Sequence, residues 1–213
     1  MKIGVKPLIS AFLWTYLALA APLAMAASTD EPPNVEGSPE ETVQLLEQIL
    51  IENMKAGEAL SYQERFEALL PAMDRVFAVE AMARFLFSDT WQAINEGQRG
   101  AFRDLFLKLS ASSYAHSFDN YSGQSFEVVS TKVQSPKRAL VRRRLATGKG
   151  KQVQFDYLLT PADGHWKIVV VTTDGVSQLS IKRSQYRRLI EQSNFDAVLE
   201  SIQAVIEKRA TDA

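Results

Sequence analysis

Residues 155–199, FDYLLTPADGHWKIVVVTTDGVSQLSIKRSQYRRLIEQSNFDAVL, decide the fold of this chain. Their first part alternates with a period of two. Val153, Phe155, Tyr157 and Leu159 point one way, and Gln152, Gln154 and Asp156 mostly the other, as on a strand with one apolar face. Ala162-Asp163-Gly164 supplies a turn into a second strand, His165 to Thr173. There the alternation fails, because Ile168, Val169, Val170 and Val171 run together, which predicts a central strand covered on both sides. Asp174-Gly175 ends that strand. An amphipathic helix over 176–192 follows at once, with Ser177 or Asp174 as N-cap, and a second helix covers 195–208.

Upstream, two more strands are predicted at Ser125 to Gln134 and Ala139 to Ala146, ahead of the strand at Lys151 to Thr160. Ser135-Pro136 and Thr147-Gly148 carry turn residues, so an antiparallel meander is the economical topology. Before Asn120 the period is helical. Ser38, Pro39 and Glu41 make a capping box with proline in the first turn, and Val43, Leu46, Leu50 and Met54 form an apolar stripe that Gly57 ends. Residues 61–94 read as several short helices, broken after Leu70 by Pro71 and rich in aromatics from Phe77 to Trp91. A longer helix over 95–118 puts Phe102, Leu105, Phe106, Leu109 and Ser113 on one face. Helices first, sheet second and helices last define one α+β domain, expected over 38–210.

The amino terminus predicts the compartment. Lys2 and Lys6 precede an apolar run from Leu8 to Ala20, and Ala24-Met25-Ala26 has the small-residue pattern of a cleavage site. Residues 1–26 are therefore expected to be a signal peptide, and the run is shorter than the roughly 20 residues of a membrane span. A polar, proline-containing leader is expected over 27–37. The chain has no cysteine, which excludes disulfides, thiol chemistry and Cys-ligated metals, and with them anchoring through a lipid-modified cysteine. Charge is uneven: residues 27–100 carry −9 and residues 101–213 carry +6. Such a dipole orients a protein toward an acidic partner or anionic head group, but it is too mixed with acids for a nucleic-acid footprint.

Catalytic patterns are few. His116 and His165 lie in different elements without ligand spacing, and no G-x-S-x-G elbow, P-loop or dinucleotide fingerprint occurs. No catalytic residue, metal or cofactor is expected. Asp156 beside Tyr157 is the one acid–base candidate, yet neighbours on a strand face opposite sides and Asp156 reads as a solvent-facing charge. Two basic groups have a double reading. Arg142 and Arg144 share a strand face that is either a solvated edge or a phosphate or docking contact. Lys182, Arg183, Arg187 and Arg188 make either a wet helix face or the rim of a pocket.

The ordered series Phe155, Trp166, Asp174-Gly175-Val176-Ser177, Lys182 with Tyr186, and Asn194-Phe195-Asp196 resembles the MlaC family of lipid carriers, the toluene-tolerance type. NEGQRGAFRDLFLKLSASSYAHSFDNY is similar to that family's long helix, and the likeness spans roughly Ser38 to Ala204. The KR-x-x-Y form at Lys182 to Tyr186 looks more like the hopanoid-associated HpnM branch, whereas the all-valine centre of the Trp166 strand departs from many relatives. The resemblance implies a nuclear-transport-factor-like cone, a curved antiparallel sheet wrapped by helices around an apolar cavity. It implies a periplasmic carrier of phospholipid or a hopanoid-type lipid, working with an inner-membrane ABC-type transport complex and an outer-membrane acceptor. The lipid contacts it suggests are Phe102, Leu105 and Leu109 on the long helix, and Val153, Phe155, Tyr157, Trp166, Val169 and Val171 on the strands. Val176 and Leu179 at the junction complete them, and Arg142, Arg144, Lys182 and Arg183 are the suggested head-group or partner contacts. An enzyme on the same cone fold, or an interaction module without catalysis, is the alternative.

Overall fold

The computed structural model describes residues 35–147 and 150–212; the expected signal peptide and residues 27–34 of the leader lie outside the described residues. Helix α1 (Pro39–Ala56) opens with the expected capping box. Ser38 Oγ accepts from the Glu41 N–H at 3.2 Å and Glu41 Oε2 accepts from the Ser38 N–H at 2.8 Å. Gly57 closes it at φ 48°. Just before it, the Glu36 N–H donates to the Gly164 carbonyl at 2.8 Å, so the end of the predicted leader is tied to the sheet.

Helices α2 (Tyr62–Val76), α3 (Val79–Phe87) and the single turn α4 (Thr90–Ala93) fill the aromatic-rich stretch. Pro71 does not break α2, contrary to the sequence reading. It sits on the exposed side of the helix, as does Glu67, so the helical N–H that proline cannot give to the Glu67 carbonyl is missing where solvent can reach. Helix α5 (Glu96–Ser117) starts at Asn95, whose Oδ1 accepts from the Gln98 N–H at 2.9 Å. Asn95→Ala should lower unfolding free energy by about 1 kcal/mol in a urea titration; an unchanged midpoint would show that tertiary packing alone fixes this helix start.

The sheet is an antiparallel meander in the order β1-β2-β3-β4-β5, curved and not closed. Its strands are β1 (Ser125–Ser135), β2 (Arg138–Ala146), β3 (Gln152–Ala162), β4 (His165–Thr173) and β5 (Val176–Ser177). Pro136-Lys137 turns β1 into β2, and two Asp-Gly pairs make the later tight turns, Asp163-Gly164 at φ 53° and 77° and Asp174-Gly175 at φ 47° and 81°. The second turn corrects the junction. Chain 176–177 is a short strand paired with Thr172 and Thr173, so helix α6 (Gln178–Gln192) begins two residues later than predicted. Ser177 caps it, while Asp174 is spent on β3, its carboxylate accepting from the Gln154 N–H at 2.8 Å. Helix α7 (Phe195–Thr211) completes the fold.

The valine run also reads differently in three dimensions. A bulge after Ile168 places Val169 out of register, so Leu158 faces Val170 while Leu159 faces Ile168. Strand β4 is not central. Over most of its length it is the last strand, and its free edge is covered by the α2–α3 joint, where the Ala78 N–H donates to the Ile168 carbonyl at 2.9 Å.

Helix α1 packs on the sheet, and α2, α5 and α7 pack successively behind it. Phe87, Trp91, Phe102, Phe106, Tyr186 and Phe195 form one aromatic cluster that joins α3, α4, α5, α6 and α7. On the sheet side, Ala139, Val141 and Leu145 of β2 share a face with Phe155, Tyr157 and Leu159 of β3. Among them lies a charge: Arg143 is 5% exposed and Glu47 of α1 4%. Arg143 Nε and Nη2 donate to the two carboxylate oxygens at 2.8 and 2.6 Å.

Candidate functional site

Between the aromatic cluster and the sheet the packing leaves a cavity of about 950 Å³. Ligand pockets run from roughly 300 to 1,000 Å³, so this is space for a large ligand and no packing defect. Its inner wall is apolar: Met54 from α1, Phe77 and Met82 around the α2–α3 joint, Phe106 from α5, Leu145, Phe155 and Val171 from the strands, and Leu179 from α6. The exposed Ser117, Asp119, Asn120, Ser122, Lys151 and Gln178 make a polar rim open to water.

Helix α5 supplies one whole wall through Phe106, Ser110, Ser113, Tyr114 and Ser117, a stripe at helical spacing. The Ser110 and Ser113 hydroxyls donate back to the Phe106 and Leu109 carbonyls at 2.8 and 2.7 Å, so neither of these two hydroxyl hydrogens points unpaired at the apolar space. Burial pushes the Tyr114 phenol well above its usual range, so this side chain stays uncharged. Two cations interrupt the apolar lining, Lys182 from α6 and Arg209 from α7. Burial first, and the Arg209 charge second, hold the Lys182 ammonium below the usual lysine range.

Of the suggested lipid contacts, Phe155, Val171 and Leu179 come together on this wall, and Lys182 joins them. Phe102 lies one layer behind, stacked on Phe106 at 5.1 Å, and Leu109 and Tyr157 are buried in the core. Leu105 and Val153 are half-buried beside the core. Trp166 sits toward the far end of β4, where its carbonyl accepts from Thr42 Oγ1 at 2.7 Å. Val169 occupies the bulge and Val176 is 48% exposed on β5. None of these eight is among the residues that line the cavity.

The other basic candidates also stand apart from it. Arg142 lies across the strand pair from Asp156, 3.5 Å from its carboxylate, and Arg144 shares that outer face. Arg183 is engaged by α3, donating to Ser88 Oγ at 3.2 Å and lying 5.0 Å over the Phe85 ring. Sequence reasoning missed Arg209 and the serine wall. The serines did leave a signal, since small hydroxyl residues at 110, 113 and 117 interrupt an otherwise bulky helix and leave room in front of it. Arg209 left none.

A curved open sheet packed against helices, with an apolar cavity opening through a polar rim, is the architecture of a protein that holds an apolar ligand. The family model described as MlaC protein matches residues 44–204, and the chain belongs to the MlaC family. Among curated proteins none matches. A solved structure of a phospholipid-binding protein from Ralstonia solanacearum, in complex with a phospholipid, shares the fold at a TM-score of 0.72 and 15% identity. That match covers 82% of this chain and 99% of the Ralstonia chain. No helix among the described residues is long and apolar enough to cross a membrane, and no group of three or more metal-ligating side chains occurs among them.

Proposed function

We propose that this chain is a periplasmic lipid carrier that takes a phospholipid into the cavity and passes it between an inner-membrane ABC-type transport complex and an outer-membrane acceptor. The apolar-walled cavity of about 950 Å³, in a chain of the MlaC family, carries the reading. The phospholipid in the Ralstonia relative and the signal-peptide pattern over 1–26 support it.

Burying a methylene is worth about 0.8 kcal/mol, so two acyl chains with some thirty methylenes resist release into water by roughly 24 kcal/mol. A carrier answers this with a dry wall of similar apolarity and hands its cargo over by contact. Chemistry has no part in that work. Among the described lining residues Asp119 is the one acid and stands exposed on the rim, and Asp156 faces Arg142 on the outer side of the sheet.

Native mass spectrometry of the mature chain, purified from a Gram-negative periplasm, is expected to show one diacyl lipid per chain, identified by extraction. A pentacyclic triterpenoid in its place would assign the hopanoid-associated branch. Fully stable protein that arrives without lipid and takes none from vesicles would overturn the carrier reading.

A further inference from the structure

We propose that Lys182 and Arg209 form an anion subsite within the cavity that seats the phosphate of a lipid with net negative charge. The inference rests on the carrier reading and adds the class of head group.

Among the described residues the charged lining is Lys151, Lys182 and Arg209 against Asp119, a net charge of +2. They stand at two depths. Asp119 and Lys151 are exposed on the rim, whereas Lys182 and Arg209 are partly buried below it. Lys182 has neither an acid nor a hydrogen-bond acceptor as partner among the described residues, and the charge that acts on it is the like charge of Arg209. Arg209 holds only neutral hydroxyls, donating to Ser113 Oγ at 2.7 Å and Ser112 Oγ at 3.5 Å. Of the two acids near this end of α7, Asp212 is taken by Lys208 at 2.6 Å and Glu207 accepts from Gln203 Nε2 at 2.7 Å. The first turn of α6, whose Gln178 and Leu179 line the cavity, contains no acid, so its helix dipole adds positive potential on the same side.

Two like charges in a partly dehydrated wall oppose each other and their own burial. A phosphate between them removes both costs: the guanidinium offers paired N–H donors to two of its oxygens, and the ammonium adds a point charge. Acyl chains attached to that phosphate then run down the wall of Met82, Phe106, Phe155 and Val171. A zwitterionic head group brings an ammonium of its own to the same two cations, with only the rim carboxylate of Asp119 to receive it. Net-anionic lipids are therefore favoured.

The test loads delipidated protein from vesicles of equal phosphatidylglycerol and phosphatidylcholine content and reads the ratio of bound lipids by mass spectrometry. Wild type should favour phosphatidylglycerol about tenfold. The double variant Lys182→Gln/Arg209→Gln should bring the ratio within about twofold of unity. Lys182→Arg, which keeps the charge, should retain the preference, as should Lys108→Gln, which removes an exposed cation outside the cavity. A preference that survives the double variant, or lipid-loaded wild type without preference, overturns the subsite. Wild type that loads neither lipid fails the carrier reading itself. A second arm titrates the delipidated protein with glycerol phosphate by calorimetry, where binding no tighter than about 1 mM is expected. Micromolar binding lost in the double variant would assign the site to a free phosphate ester and overturn the lipid assignment.

Discussion

Arg143→Met alone should lower the unfolding free energy by about 3–5 kcal/mol, because it leaves a buried carboxylate with no countercharge. For a chain of this size that corresponds to a drop of roughly 6–20 °C in melting temperature. Arg143 occupies an inward position of β2, opposite Phe155 and between Val141 and Leu145, where an apolar side chain would be routine. Its guanidinium is held there by Glu47 through two short hydrogen bonds, with Glu40 a further 3.7 Å contact. Burial already holds the Glu47 carboxyl above its usual range, with the guanidinium pulling the other way. Without Arg143, burial and the like charge of Glu40 remain, and both act to raise the Glu47 pKa. The folded state then binds the Glu47 proton more tightly than the unfolded state does. The deficit therefore grows as pH rises from about 4.5 through the folded value, and it shrinks on acidification. Urea titrations at pH 7 and pH 5 should show the smaller loss at pH 5. Glu47→Leu/Arg143→Met removes both charges and should recover most of the stability. A single-variant loss below about 1 kcal/mol, or a double variant as unstable as the single, would mean that the pair is solvated in solution.

This pair also marks where the sequence stopped being readable. The triplet Arg142-Arg143-Arg144 shows its alternation plainly, but only the position of α1 decides that the middle arginine is the buried one. The meander was legible because its signals are local: a period of two in β3, and turn residues at 135–136, 147–148 and 162–164. The valine run of β4 misled for a non-local reason. Its cover comes from a bulge and from the α2–α3 joint against the strand edge, and neither leaves a trace in hydropathy. The same limit applies to the cavity. Phe102 and Phe106 look alike in a helical stripe, yet one faces a filled cluster and the other an open space. Periodicity finds the face of a helix that turns inward, and it is silent on whether anything fills the interior in front of it.

A pair of aspartate substitutions separates those two interiors. Phe102→Asp places a charge at a fully buried site, ringed by Phe87 at 4.9 Å, Phe106 at 5.1 Å and Trp91 at 5.5 Å. The lost aromatic packing alone costs about 3–5 kcal/mol, and the unpaired carboxylate adds to it. The sum approaches the whole stability of an ordinary domain, about 5–15 kcal/mol, so this variant should be largely unfolded. Val171→Asp places the same charge on the cavity wall, on a strand whose side chain is partly exposed to the cavity. Water entering over the polar rim solvates the new carboxylate when lipid is absent, so the empty protein should lose less than about 2 kcal/mol. The bound state has no such relief. An acyl chain against Val171 must displace that water from the carboxylate. Co-purified lipid should fall at least about tenfold. Melting temperature and extracted lipid measured on the same samples give the answer. Lipid lost at position 171 with the fold intact, and the fold lost at 102, locate the boundary between cavity and core. Equal loss of stability at both positions would show that Val171 faces a filled interior, and the carrier reading would lose the cavity on which it rests.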